Sequence, residues 1–348
     1  MYKGYTVVVN TAAGRRRYMQ YLIPFVVASD VVDRYDIWVN THNGADIEFF
    51  KQCAEKFPKI NLVWQPDGIV DGIKSINAFY RQCCEEKTIY FKLDDDVVWM
   101  EPGLIEKMVD FRIENPQYFL VTPLVINNAL STYLLQVEGK IKLDRYYPSY
   151  SSDKYLWESG KFAAELHEWF MQKYLKTEKY TSLYVGKREM GMCRFSINSI
   201  LWFGEDMAAI SGVVPGDDEE FMSCTYPTRI GKPNAWNGDA IISHFAFGPQ
   251  REGLDKMQIL EKYGAYLHQT WAKDPVMKGI DDTIQGIMES IRKDEARLMA
   301  MPSPYKHAPG YGSASRQFFK KLIPLSLRDY RRARQQEKSD KNNPFVLG

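Results

Sequence analysis

Five short apolar runs alternate with stretches of helical spacing over the first 125 residues, and this alternation restricts the fold more than any other feature. Residues 5–10, 35–40, 60–64, 88–93 and 118–121 read as strands. Between them, 15–28, 45–56, 70–86 and 103–115 carry apolar residues at helical spacing. Strands separated by helices of about ten to fifteen residues build βαβ units and a parallel sheet. The runs are apolar throughout, as when helices cover both faces of a sheet. The expectation is an α/β, Rossmann-like, mostly parallel sheet flanked by helices. Ligands collect at the C-terminal ends of such strands, so the turns after these runs are where chemistry is expected.

Composition excludes several classes. With 45 Lys+Arg against 44 Asp+Glu in 348 residues, the charge balance argues against a protein that coats nucleic acid along its whole surface. No apolar run approaches the roughly 18 residues that cross a bilayer, and the strand-like 5–10 so near the start leaves no room for a signal peptide. The five cysteines (53, 83, 84, 193, 224) fit neither a disulfide framework nor a zinc spacing, so reduced thiols and a cytoplasmic location are expected. No G-x-G-x-x-G follows the first strand and no P-loop is present, which argues against a nicotinamide, flavin or triphosphate site of those kinds.

The strongest chemical signal is Phe91-Lys92-Leu93-Asp94-Asp95-Asp96-Val97-Val98. Three consecutive carboxylates at the end of an apolar strand repel one another unless a cation neutralises them. Mg²⁺ or Mn²⁺ accepts such oxygens and keeps open positions for phosphate. The plain alternative is an acidic turn stabilised by a helix N-terminus. Three acids exceed what a cap needs, and Val97-Val98-Trp99 continues apolar.

Here the chain resembles the GT-A-fold glycosyltransferases (family-2-like, of the bacterial envelope-glycan type), which bind a nucleotide-sugar through a divalent ion. Residues 90–96 resemble their Asp-x-Asp strand end, with Asp94 and Asp96 as the outer acids that reach ribose, sugar and metal. Gly216-Asp217-Asp218-Glu219-Glu220-Phe221 resembles the family's acidic motif, and aligning Phe221 with its apolar position puts Asp218 at the general base. Ala240-Ile241-Ile242-Ser243-His244-Phe245 resembles the strand bearing the late metal-ligand histidine. The resemblance covers roughly residues 4–250 and implies a Mn²⁺- or Mg²⁺-dependent enzyme using a UDP- or GDP-sugar. Asp94, Asp96 and His244 would hold the metal. Asp218, flanked by Asp217 and Glu219, would do the acid–base chemistry, with inversion at the anomeric carbon. His244 also suits a plain core position, and the four acids also suit a helix opening.

Donor contacts are expected from Thr11 and Ala12 after the first strand, Asn40 after the second, and Lys74 in the helix after the third. Asp94, Asp95 and Arg251 complete that set. Arg15-Arg16-Arg17 suits either a phosphate contact or a solvated helix face. The opening Asn10-Thr11-Ala12-Ala13-Gly14 departs from the family's usual Pro-Thr-x-Asn.

Residues 126–250 form the expected acceptor and catalytic half, after a nucleotide-sugar half over 1–125. Strands are expected over 199–203 and 240–244, and a helix over 162–175. Eleven aromatics between 146 and 184 suit stacking on sugar rings or an irregular subdomain packed by its own rings, with Trp157, Trp169 and Tyr150 foremost. Helices are expected in 251–300, and 301–348 reads as a linker followed by a basic amphipathic tail. Residues 316–338 hold eight cations against two acids, interleaved with Phe318, Phe319, Leu322, Ile323, Leu325 and Leu327. Such a piece fits the surface of an anionic membrane at its cytoplasmic face, although Pro324 interrupts it; binding to nucleic acid and simple solubilisation are the rivals. The expected function is transfer of a sugar to a hydroxyl of a glycan or lipid-linked acceptor. A sugar-phosphate nucleotidyltransferase, a DNA-base glycosyltransferase and a non-catalytic nucleotide-sugar-binding module remain as alternatives.

Overall fold

The apolar runs become β1 (Thr6–Ala13), β2 (Arg34–Val39), β3 (Ile60–Trp64) and β4 (Thr88–Leu93). β5 (Val97–Met100), β6 (Val121–Ile126), β7 (Lys187–Gly191), β8 (Ser199–Phe203) and β9 (Asn234–His244) follow. All nine lie in one sheet, ordered β3-β2-β1-β4-β8-β6-β9-β5, with β7 paired to β9. β3, β2, β1 and β4 run parallel, as do β6 and β9. β8 enters antiparallel between β4 and β6, and β5 lies antiparallel on β9. This computed structural model describes residues 1–307 except Asp144 and Ser152, together with Arg334.

Both faces of the sheet are covered, which is why its strands carry few polar residues. Along β1 and β4, Val8 and Tyr90 join one buried cluster, while Val7, Val9, Ile89, Phe91 and Leu93 join the other. The second cluster is completed by α1 (Arg16–Val27), α2 (Gly44–Lys56), α3 (Leu104–Glu114) and the long C-terminal helix Pro275–Ala300. Truncating a buried Phe such as Phe91 to Ala in such packing costs about 3–5 kcal/mol. The architecture is the expected one: a mixed, mostly parallel sheet between helices, with a helical C-terminal region.

Three local expectations differ. The stretch read as a helix over 70–86 is a 3-10 helix, Gly72–Gln82. The Gly72 carbonyl accepts from Asn40 Nδ2 (2.9 Å) and Ser75 Oγ (2.8 Å), so side chains occupy the acceptor that would start an α-helical ladder. The strand expected at 118–121 begins at Val121 and runs to Ile126, with Pro123 at a register shift against β9. The helix expected over 162–175 is α-helical over Gly160–Phe170 and then a π-turn, Met171–Leu175.

Part of the expected linker is docked. Tyr305 is buried, donates its hydroxyl to the Val39 carbonyl (2.8 Å) and accepts from the Gln65 N–H (2.9 Å). Lys306 pairs with Ile69, so residues 301–307 run along the edge of the first half. The basic piece 316–338 lies outside the described residues, Arg334 apart.

Candidate functional site

β4 delivers three aspartates to the turn before β5, and each takes different partners. Asp94 accepts from the buried Lys92 Nζ (2.7 Å) and from Asn198 Nδ2 (3.0 Å). Asp95 is held by the Arg15 guanidinium through two donors and by the Gly14 N–H (3.0 Å). Asp96 faces His244 Nε2 (3.2 Å), Arg15 Nη2 (3.0 Å) and, more distantly, Arg251 Nη2 (3.9 Å). The β5–β9 pairing sets Val97 opposite His244, and the Phe245 N–H donates to the Asp96 carbonyl (2.8 Å). The sheet thus brings the end of β9 to the end of β4.

The electrostatics follow from burial and these partners. Burial favours the neutral acid at Asp96, but Arg15, His244 and Arg251 outweigh it and hold the carboxyl below the usual range. At Asp95 burial wins over Arg15 and raises the pKa. Burial works against protonation of His244, yet Asp96 beside it raises its pKa. Lys92 stays ionised because Asp94 and Asp218 together outweigh its burial.

Ligand atoms of Asp94, Asp96 and His244 lie within 4.8 Å of one another. Ligands about 2.1 Å from an octahedral Mg²⁺-type ion sit about 3.0 Å apart at right angles. His244 Nε2 and Asp96 Oδ1, 3.2 Å apart, pair directly here, and with Asp94 they offer three ligand atoms that could hold a divalent ion. The donor set is two carboxylates and one imidazole.

The acidic turn lies across from this cluster. Asp217 caps the short helix Asp218–Glu220 by accepting from the Glu220 N–H (3.2 Å). Arg194 binds three of the four acids: Asp217 Oδ2 (2.8 Å), Glu219 Oε1 (3.0 Å) and Glu220 Oε2 (3.5 Å). Asp218 instead accepts from the Tyr80 hydroxyl (3.2 Å). Burial raises its pKa; Lys92 opposes the shift and Asp94 adds to it, which places Asp218 in the field of the β4 aspartates. Glu219 is likewise raised by burial against the pull of Arg194. Gly212 seats this turn: its φ is +64°, and a Cβ there would collide with the Tyr80 backbone. A π-turn, Phe221–Thr225, follows the acids.

The expected donor contacts are distributed more widely. Thr11 is buried and its hydroxyl accepts from Tyr35 (3.1 Å). Ala12 packs partly buried against the aromatic cluster. Asn40 ties the end of β2 to the 3-10 helix through Gly72 and Ser75 (2.7 Å). Lys74 is exposed and lines a cavity of about 390 Å³ with Asp67, Asp71, Asn77 and Val214. The three arginines form no bare solvated face: besides Arg15, Arg16 pairs with Asp46 and Glu295, and Arg17 with Asp255.

Of the three foremost aromatics, Trp169 is buried in the core, whereas Tyr150 is exposed and Trp157 is 38% exposed. The Leu156 carbonyl accepts from Gln250 Nε2 (2.8 Å), so Trp157 stands beside the turn that carries Arg251. Arg194, Lys92, Asn198 and Tyr80 were not anticipated as site residues. Lys92, two places before Asp94 in an apolar strand, was the one with a signal in the sequence.

No family model matches the chain, and no curated protein sequence does. Among solved structures, CMP:2-keto-3-deoxy-manno-octonic acid synthetase in complex with CTP is 10% identical, covering 74% of this chain and 99% of its own, with a TM-score of 0.41. 4-Diphosphocytidyl-2C-methyl-D-erythritol synthase from Anaerococcus prevotii is 9% identical, covering 76% and 100%, with a TM-score of 0.41. Glucosyl-3-phosphoglycerate synthase from Mycobacterium tuberculosis, with Mn²⁺, UDP and glucosyl-3-phosphoglycerate, is 13% identical, covering 76% and 80%, with a TM-score of 0.37.

Proposed function

We propose that the chain is a divalent-metal-dependent glycosyltransferase that moves a sugar from a UDP- or GDP-sugar to a hydroxyl of a glycan or lipid-linked acceptor. The observation that carries this is the juxtaposition of Asp94, Asp96 and His244 within 4.8 Å at the β4 and β9 strand ends, with a raised-pKa carboxyl, Asp218, across from them. A Mn²⁺ or Mg²⁺ ion held by the three residues would offset negative charge on the leaving diphosphate. Arg251, next to Asp96, supplies a second positive group for phosphate oxygens. Lys74, Asp71 and Asn77 line the cavity that would take the nucleoside end.

Asp218 takes the proton of the acceptor hydroxyl, and burial raises its pKa, which makes it a stronger base than an exposed aspartate. Tyr80 holds one oxygen of the carboxylate by a hydrogen bond, which orients it. A base on the protein implies inversion. Tyr150 and Trp157 offer exposed aromatic faces for a sugar acceptor. The tail 316–338 would hold the enzyme at an anionic membrane surface.

The test is incubation of the full chain with UDP- and GDP-sugars, with and without Mn²⁺. Metal-dependent release of the nucleoside diphosphate supports the proposal. Pyrophosphate release from a nucleoside triphosphate and a sugar phosphate would support a nucleotidyltransferase instead.

A further inference from the structure

The aspartate turn and the acidic turn come from distant parts of the chain, and one segment, residues 194–198, bonds to both. At one end Arg194 holds Asp217, Glu219 and Glu220, and the Phe195 N–H donates to Ser223 Oγ (3.4 Å) in the π-turn that follows. At the other end the Ile197 carbonyl accepts from Lys92 Nζ (3.0 Å). Asn198 accepts from the Asp94 N–H (2.9 Å) through its carbonyl and donates to Asp94 Oδ2 (3.0 Å) through its side chain. Asn128 braces the middle, donating to the Ser196 carbonyl (3.1 Å) and to Asn198 Oδ1 (2.9 Å).

We propose that residues 194–198 fix the separation between the aspartate cluster and the acidic turn, with Arg194 and Asn198 as positioning residues. The proposal rests on the glycosyltransferase reading for its consequence, since donor and base must be held at a set distance. Five residues span at most about 17 Å, so the segment bounds that distance. The guanidinium also lets four consecutive acids share one turn without driving each other apart. Asp218 is the one acid of the four that Arg194 does not hold; it bonds to Tyr80 and lies in the field of Lys92 and Asp94. A misplacement of 1 Å at a reacting group can cost roughly 100-fold in rate.

Arg194→Gln, Arg194→Lys and Asn198→Ala in the full chain separate positioning from general stability. Arg194 is 36% exposed, so its replacement leaves the core packed. Hydrogen–deuterium exchange read by mass spectrometry should be about fivefold faster at residues 217–225 in Arg194→Gln, with residues 88–98 unchanged. Asn198→Ala should show the reverse pattern. In Mn²⁺-dependent release of UDP or GDP from the donor sugar, Arg194→Gln should lower kcat roughly 10- to 100-fold with donor KM and the Mn²⁺ requirement little changed. Arg194→Lys should restore part of kcat, and Asn198→Ala should raise the Mn²⁺ requirement. Unchanged exchange at 217–225, or faster exchange across the whole molecule with kcat and KM altered together, overturns the proposal. A wild-type chain that releases no nucleotide refutes the glycosyltransferase reading, and the exchange pattern alone then decides the role of the segment.

Discussion

Arg15 closes on Asp95 with two donors of its guanidinium, and the Gly14 N–H completes the clamp. The middle aspartate therefore ties the first βα turn to the end of β4. Asp94 and Asp96 on either side remain grouped with His244.

Asp95→Asn should consequently act on stability more than on metal binding. Losing a hydrogen-bonded partner of a charged group costs about 1.5–3 kcal/mol, softened here because Arg15 retains Asp96. Urea denaturation should show that loss, while the Mn²⁺ concentration for half-maximal effect moves little. A variant of native stability that no longer responds to Mn²⁺ would instead place Asp95 among the metal ligands.

Asp218→Asn keeps the shape and the Tyr80 contact of the side chain and removes its basicity. Donor binding should persist, while transfer falls by about 10²–10⁴-fold. Near-normal turnover would remove Asp218 from the chemistry and point to a retaining reaction.

His167 gives a pH-dependent prediction. It is buried, bonded to the Phe245 carbonyl (2.8 Å) and the Tyr263 hydroxyl (3.0 Å), and burial lowers its pKa from 6.5 to about 4. Between those values the unfolded chain takes up a proton that the folded chain refuses. The neutral folded form is thus favoured above pH 6.5, and that contribution is lost as pH falls toward 4. One proton is worth at most about 1.4 kcal/mol per pH unit. Denaturation midpoints from pH 7.5 to 4.5 should fall more steeply for the wild type than for His167→Gln; parallel curves would show that His167 is not held neutral.

Removing residues 316–348 should abolish co-sedimentation with vesicles containing phosphatidylserine without shifting Tm. Vesicle binding equal to that of the full chain would assign membrane contact to another surface or to none.

Much of the fold was legible because its signals are local. Fully apolar strands such as β4 mark a sheet covered on both faces, and three acids closing one of them mark a place where charge must be compensated. His244 and Asp218 could be proposed only through their order along the chain, and it took the β5–β9 pairing to set His244 beside Asp96. Arg194 and Asn198 were beyond reach, since they meet the acids only because β8 enters antiparallel beside β4. The 3-10 helix Gly72–Gln82 escapes the sequence pattern for a similar reason: Asn40, just past β2, occupies the Gly72 carbonyl. The paired arginines of α1 were ambiguous because Glu295 and Asp255, their partners, lie more than 200 residues away.

Titration of the wild type and of Asp96→Ala with Mn²⁺ in the presence of UDP or GDP, followed by calorimetry and thermal unfolding, tests the metal site most directly. A wild-type complex at 100 times its dissociation constant gains about 2.7 kcal/mol, several degrees in Tm, only when metal and nucleotide are both present. Asp96→Ala should show neither the heat nor the shift. Equal Mn²⁺-dependent binding by the two proteins would contradict a metal held by Asp94, Asp96 and His244.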